Sequence, residues 1–217
     1  MNNEKIRYRI TFEKKCAARF VGHLDLQTLF HRALKRAGLP VAYSKGFNPH
    51  MLISFAQPLP LGMESLCEMV DVEMTREVLP YEIIGRLNES LPNGLNITNA
   101  KLLHAQAKRV AAAVYAAEYD VVFDILCHSY DPECFKHSIT DAVAYILKGN
   151  EPYISITEKI INMSFIPEEL IIRMTLCAGG EKNLKPAIAV SAVCEQAGIE
   201  LTTGLVKYTR TGILLKT

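Results

Sequence analysis

The stretch Ile6-Arg7-Tyr8-Arg9-Ile10-Thr11-Phe12, followed by Asp25 and the run Leu26 to Pro40, decides the fold. In its first part Ile6, Tyr8, Ile10 and Phe12 point one way and Arg7, Arg9 and Thr11 the other, the period of a half-buried strand. From Leu26 the period changes. Leu26, Leu29, Phe30, Ala33, Leu34 and Ala37 follow helical spacing, with Asp25 expected as N-cap, Gly38 as the stop and Pro40 just beyond. Strand patterns follow at Met51–Ala56 and Cys67–Met74, a helix from Pro80 to Leu91, and a strand at Ile97–Leu103. The order is β-α-β-β-α-β.

The second half spells the same order. Val114–Leu126 reads as a strand, and Asp131-Pro132 opens a helix as N-cap and first-turn proline. Phe135, Ile139, Ala142, Val143 and Ile146 form the buried stripe of that helix. Strands are expected at Tyr153–Thr157 and Leu170–Cys177, with an extra one near Ile160–Phe165. A helix over Leu184–Ala197 ends at Gly198, and a last strand runs through Val206–Leu215. The fold expected is α+β: two tandem ferredoxin-like (βαββαβ) units with antiparallel sheets, residues 1–103 and 113–217, joined through 104–112.

Half of the 217 residues are apolar and 22% are charged, the balance of a chain that buries a sizeable core. No segment approaches the ~18 consecutive apolar residues that a bilayer span requires, and no apolar leader follows Met1. A cytoplasmic location, without membrane contact, is expected. Cysteines 16, 67, 127, 134, 177 and 194 are scattered without a CxxC pair and show no metal spacing, even with the six histidines added. They read as structural thiols, and neither a metal nor a cofactor is expected.

The net charge of +1 conceals an asymmetry. Residues 1–50 hold ten Lys/Arg against three Asp/Glu, whereas residues 51–100 hold two against seven. A basic end suits phosphate-bearing partners, and a neutral whole argues against a bulk nucleic-acid coat. Ser44-Lys45-Gly46-Phe47-Asn48-Pro49-His50, at the close of the basic end, and Pro58-Leu59-Pro60-Leu61-Gly62, beyond it, form stiff turns. Gly22-His23-Leu24-Asp25 stands at the mouth of the first helix, where free N–H groups favour an anion. The candidate substrate-binding residues are His23, Asp25, Arg32, Lys35, Arg36, Ser44, Gly46, Asn48 and His50. Each has a plainer role open to it: a cap for Asp25, a solvated helix face for the three basic residues, a chain turn for Gly46. Arg7 and Arg9 admit an RNA platform on an open sheet face, but Asp71 and Glu73 are placed to pair with them across strands.

Tyr8-Arg9-Ile10-Thr11-Phe12-Glu13-Lys14, Arg19-Phe20-Val21-Gly22-His23-Leu24-Asp25, Ala42 through His50, Ile53-Ser54-Phe55-Ala56 and Pro58 through Gly62 together resemble a bacterial family called radical-SAM-linked proteins. Its members occur fused to, or encoded beside, a cobalamin-binding radical S-adenosylmethionine protein. The resemblance implies a module that partners such an enzyme, with RNA as a plausible substrate. It supplies no catalytic residue. This chain lacks the cysteine motif of the radical enzyme, so that chemistry would come from another polypeptide.

Three functions are thereby expected, in this order: a non-catalytic module presenting RNA or another substrate to a radical enzyme; a protein–protein adaptor docking through the Pro58–Gly62 turn; and a metal-independent RNA-processing enzyme using His23 and His50 as acid and base.

Overall fold

The computed structural model describes residues 6–125, 130–202 and 204–216. Cys127 and the end of the expected strand at Leu126 lie outside them. The architecture is mixed α+β, and the chain divides into two compact units, Met1–Val114 with Leu215–Thr217, and Tyr115–Leu214.

In the first unit, β1 (Ile6–Lys14) pairs antiparallel with β3 (Glu64–Met74) on one side and β4 (Leu95–Leu103) on the other. The short β2 (Ile53–Phe55) pairs antiparallel with β3, so the order across the sheet is β4-β1-β3-β2. The alternation of β1 works as read: Tyr8, Ile10 and Phe12 are buried, beneath Leu26, Phe30, Ala33 and Leu34 of α1 (His23–Arg36) and Ile83 and Leu87 of α2 (Pro80–Ser90). Packing these side chains out of water, at roughly 25 cal/mol per Å2 of apolar area, is what holds both helices on one face of the sheet.

Helix α1 begins earlier than its apolar stripe suggested. Gly22, not Asp25, is the N-cap, with extended φ/ψ of −69° and 165°, and the Leu26 N–H closes the first turn on the Gly22 carbonyl at 2.9 Å. Asp25 therefore sits inside the first turn, where its carboxylate meets the positive end of the helix dipole. A Cβ on Gly22 would come within 3.3 Å of the Asp25 carboxylate, so a glycine cap leaves room for that arrangement. The far end follows the sequence: Gly38 has φ of 60°, and the Gly38 and Leu39 N–H groups bond back to Lys35 and Leu34, a Schellman stop.

In the second unit, β5 (Val114–Phe123), β7 (Ile171–Cys177) and β6 (Ile160–Ile166) pair antiparallel in that order, and β8 (Val206–Leu215) flanks β5. After the single turn α3 (Val110–Ala113), helix α4 (Pro132–Leu147) is capped by Asp131, whose side chain accepts from the Cys134 N–H at 2.8 Å, and α6 (Pro186–Ala197) ends on left-handed Gly198. Tyr153–Thr157, expected as a strand, contains instead the helical turn α5 (Ile154–Thr157). Thr157 Oγ1 donates to the Tyr153 carbonyl at 3.0 Å and to the Ile146 carbonyl at 2.7 Å, near the end of α4. These local bonds close a turn that the β-branched alternation alone does not reveal. The second strand of this unit is therefore β6.

No described helix is long and apolar enough to cross a membrane.

Candidate nucleic-acid interface

The exposed side of α1 carries Thr28, Arg32, Lys35 and Arg36. Arg36 is partly committed: its Nη2 donates to the carbonyl of Ser90, the last residue of α2, at 2.6 Å. A cation there satisfies an orphan carbonyl and the negative end of that helix. Arg32 and Lys35 form no ion pair among the described residues.

After α1, the chain makes a narrow loop whose ends are held by an isolated antiparallel bridge between Tyr43 and Met51. Inside it, the Ser44 N–H donates to the His50 carbonyl at 2.8 Å. Ser44 Oγ accepts from the His50 N–H at 3.1 Å and lies 2.8 Å from His50 Nδ1. Gly46 has φ of 130°, a conformation L side chains rarely adopt, and Asn48 and Pro49 complete the exposed tip. Ser44, Gly46, Asn48 and His50 are thus gathered on one short, pinned element.

Helix and loop meet through a residue absent from the sequence-derived set. His31, on α1, is half-buried, and its imidazole is held below the ordinary histidine range by burial first, then by Lys35 and by His50. Lys35 and His50 each lie within electrostatic reach of His31. From Leu26 to Met63 the sequence contains Arg32, Lys35, Arg36, Lys45, His31 and His50 and no Asp or Glu, the acid of α1 being Asp25 in its first turn. A lysine with no ion pair beside an imidazole that resists protonation is a setting in which a bound anion would be favoured.

His23 belongs to a different setting. It lines a small crevice with Lys14, Leu26, Phe55, Gln57, Leu59 and Glu68 among its walls. Its Nε2 is 2.9 Å from Gln27 Nε2, and its ring meets Phe55 edge-on at 5.8 Å between centroids. Lys14 is only 2% exposed and donates to the Val21 carbonyl at 2.8 Å; Glu68 is also buried. Both follow from alternation, since Lys14 continues the inward row of Tyr8, Ile10 and Phe12, and Glu68 that of Val70, Val72 and Met74. Strand period therefore contained the signal for these buried polar residues, although the charges drew attention elsewhere. His23 and His50 are engaged by separate partners, Gln27 and Ser44.

The opposite sheet face is occupied. Arg9 makes two hydrogen bonds to Asp71, and Asp71 also accepts from the Val110 N–H at 2.8 Å. Arg7, although opposite Glu73 in register, donates to the Ala107 carbonyl, and Glu73 is taken by Arg109 at 2.8 Å. The segment read as a join thus lies on this face through Ala107, Lys108, Arg109 and Val110. Arginines so consumed offer no platform for RNA.

Among the described residues no group of three or more His, Cys, Asp or Glu is placed to hold a metal ion, and the five described cysteines are free thiols. A family model described as an uncharacterized protein conserved in bacteria (DUF2344) matches residues 7–186. The chain belongs to the DUF2344 family. The match takes in the whole pinned loop, α1, both histidine settings and the helix opened by Asp131. The DUF2344 description names no activity, substrate or partner. No curated protein matches the chain.

Proposed function

We propose that this DUF2344 protein is a non-catalytic module that binds RNA and presents it to a separate enzyme, which the resemblance noted in its first third makes a radical S-adenosylmethionine protein. One observation supports the RNA reading: the Ser44–His50 loop is closed by its own hydrogen bonds, and its His50, like Lys35 of α1, lies within electrostatic reach of His31, in a run of chain that carries no carboxylate from Leu26 to Met63. A rigid cationic surface of this kind suits phosphates, because little ordering is needed on binding and counterions are released. The strand orders β4-β1-β3-β2 and β8-β5-β7-β6 support reading each unit as ferredoxin-like, and a cytoplasmic location accords with an RNA partner.

The test is RNA binding over a salt series, with wild type and the Arg32→Ala/Lys35→Ala double variant. These two are chosen because Arg36 also supports α2. Affinity is expected to fall steeply with salt, and the double variant to bind about tenfold or more weakly with a shallower slope. Equal binding by the double variant removes the reading.

A specific observation also favours the adaptor as second reading. Phe20, Leu24 and Leu61 are 63%, 75% and 66% exposed, and Phe20 approaches Gly62, whose N–H bonds to the Arg19 carbonyl. Apolar groups left open around a stiff turn suit a protein partner. Leu24→Glu/Leu61→Glu would then abolish co-purification with the enzyme and leave RNA binding intact.

A further inference from the structure

Phe47 is the most exposed large apolar side chain among those described: its ring, at the tip of the pinned loop, is as open as in an unfolded chain, with a relative exposure of 106%. Leaving a phenylalanine there forgoes the stabilisation that burying its apolar surface would yield. The loop is not loose. Three polar contacts between Ser44 and His50 and the Tyr43–Met51 bridge hold its ends, and Gly46 supplies the positive φ immediately before the ring. A loop backbone closed in this way presents the ring to a binding partner with little chain ordering on contact.

The surroundings select the partner. Phe47 is flanked by Lys45, Asn48 and His50, and His50 in turn lies within electrostatic reach of His31 on the basic helix. A protein interface centres such a ring in an apolar patch with charges at the rim. Here the same loop carries Lys45, Asn48 and His50 and no apolar side chain beside the ring other than Pro49, the pairing that unpaired nucleotides use: a base stacks on the ring while its phosphates meet the cations. Tyr43, 45% exposed at the base of the same loop, adds a second aromatic surface.

We infer that the Tyr43–His50 loop is a stacking site for an unpaired nucleotide, so that the RNA bound is single-stranded, with a base on Phe47 and backbone phosphate on Lys45, His50 and Lys35. In a duplex the base faces are covered by their neighbours, and Phe47 has nothing to stack on. The inference rests on the RNA reading above and narrows it.

Its test compares a single-stranded RNA of about 12 nucleotides with the duplex of the same sequence by fluorescence anisotropy, using wild type, Phe47→Ala and Phe47→Trp. The single strand is expected to bind about tenfold tighter than the duplex. Phe47→Ala should remove that preference while leaving duplex affinity and its salt dependence unchanged, and Phe47→Trp should keep it. Since Phe47 packs on nothing, the alanine variant folds as the wild type does. Equal, salt-dependent binding of strand and duplex, or an unchanged single-strand affinity in Phe47→Ala, overturns the stacking site and leaves the RNA module standing. Failure of the wild type to bind either RNA overturns both.

Discussion

Arg9 and Asp71 face each other in register across β1 and β3 and meet through two hydrogen bonds, of 2.8 and 3.0 Å, with Asp71 only 2% exposed. Val110 N–H shares the same carboxylate, so one side chain ties two strands and the covering segment together. Removing one partner of such a pair strands the other charge, a loss of about 3 kcal/mol, whereas exchanging both for apolar groups is often nearly neutral. Asp71→Ala is therefore expected to lower the urea-derived stability by about that amount, and Arg9→Met/Asp71→Leu by less than half of it. A single variant as stable as wild type would show that the pair is not holding the segment.

Gly94 has φ of 91°, and a Cβ there would lie 2.6 Å from the Lys15 carbonyl oxygen and 3.0 Å from Ala18 Cβ. The same Gly94 carbonyl accepts from the Lys15 N–H at 2.8 Å, so the two backbones cannot simply part. Gly94→Ala combines positive-φ strain with this clash and is expected to cost about 2–4 kcal/mol in chemical denaturation. A change below about 0.5 kcal/mol would mean the turn relaxes freely.

Much of this was legible because each element repeats its own period. Tyr8, Ile10 and Phe12 announced β1, and Asp71 and Glu73 were correctly placed opposite Arg9 and Arg7. What register could not supply was the competition for those charges: Arg109 and the Ala107 carbonyl, over thirty residues away in sequence from Glu73 and Arg7, intervene in one of the two pairs. The second unit repeats the surviving pair with its signs exchanged, Asp120 opposite Arg173 on β5 and β7 at 2.9 and 3.1 Å. At the candidate site turn chemistry marks Ser44 and His50 in the sequence, whereas His31 reads there only as part of the solvent side of α1. Its role depends on which way the loop folds back, a tertiary fact without a local sequence mark. Tyr153–Thr157 failed for the complementary reason: Thr157 hydroxyl bonds to backbone decide its shape, and β-branched alternation does not register them.

Cys194 is 1% exposed on α6, and burial pushes its thiol up to about 11 from an ordinary value of 9.0. Because the folded value is the higher one, the fold favours the neutral thiol. That stability is fully present below pH 9.0 and is lost as pH rises through about 11. Tyr208, pushed up to about 12 by burial and by Cys194, acts in the same direction. Stability is expected to decline on the alkaline side of pH 9.0, and less so in Cys194→Ala. Alkylation of the native protein at pH 8 should reach the exposed Cys16 and Cys134 and spare Cys194 until the protein unfolds. Early labelling of Cys194 would contradict the assignment.

His31 makes the last expectation the most informative about function. Its folded value lies below the ordinary 6.5, so the stability it contributes is present above 6.5 and is lost as pH falls through the folded value. The groups that resist its protonation beyond burial are Lys35 and His50, and phosphate placed among them reverses that resistance. Binding of RNA should thus take up protons. Affinity is expected to rise as pH falls from about 7.5 to 5.5, while the free protein loses stability over the lower part of the same range. His31→Gln, which keeps a polar side chain but cannot gain charge, should flatten the affinity profile and abolish part of the acid loss of stability. Anisotropy titrations at several pH values measure the first effect and thermal melts the second. An affinity profile equally steep in His31→Gln would show that the proton is taken up elsewhere than at this helix–loop junction.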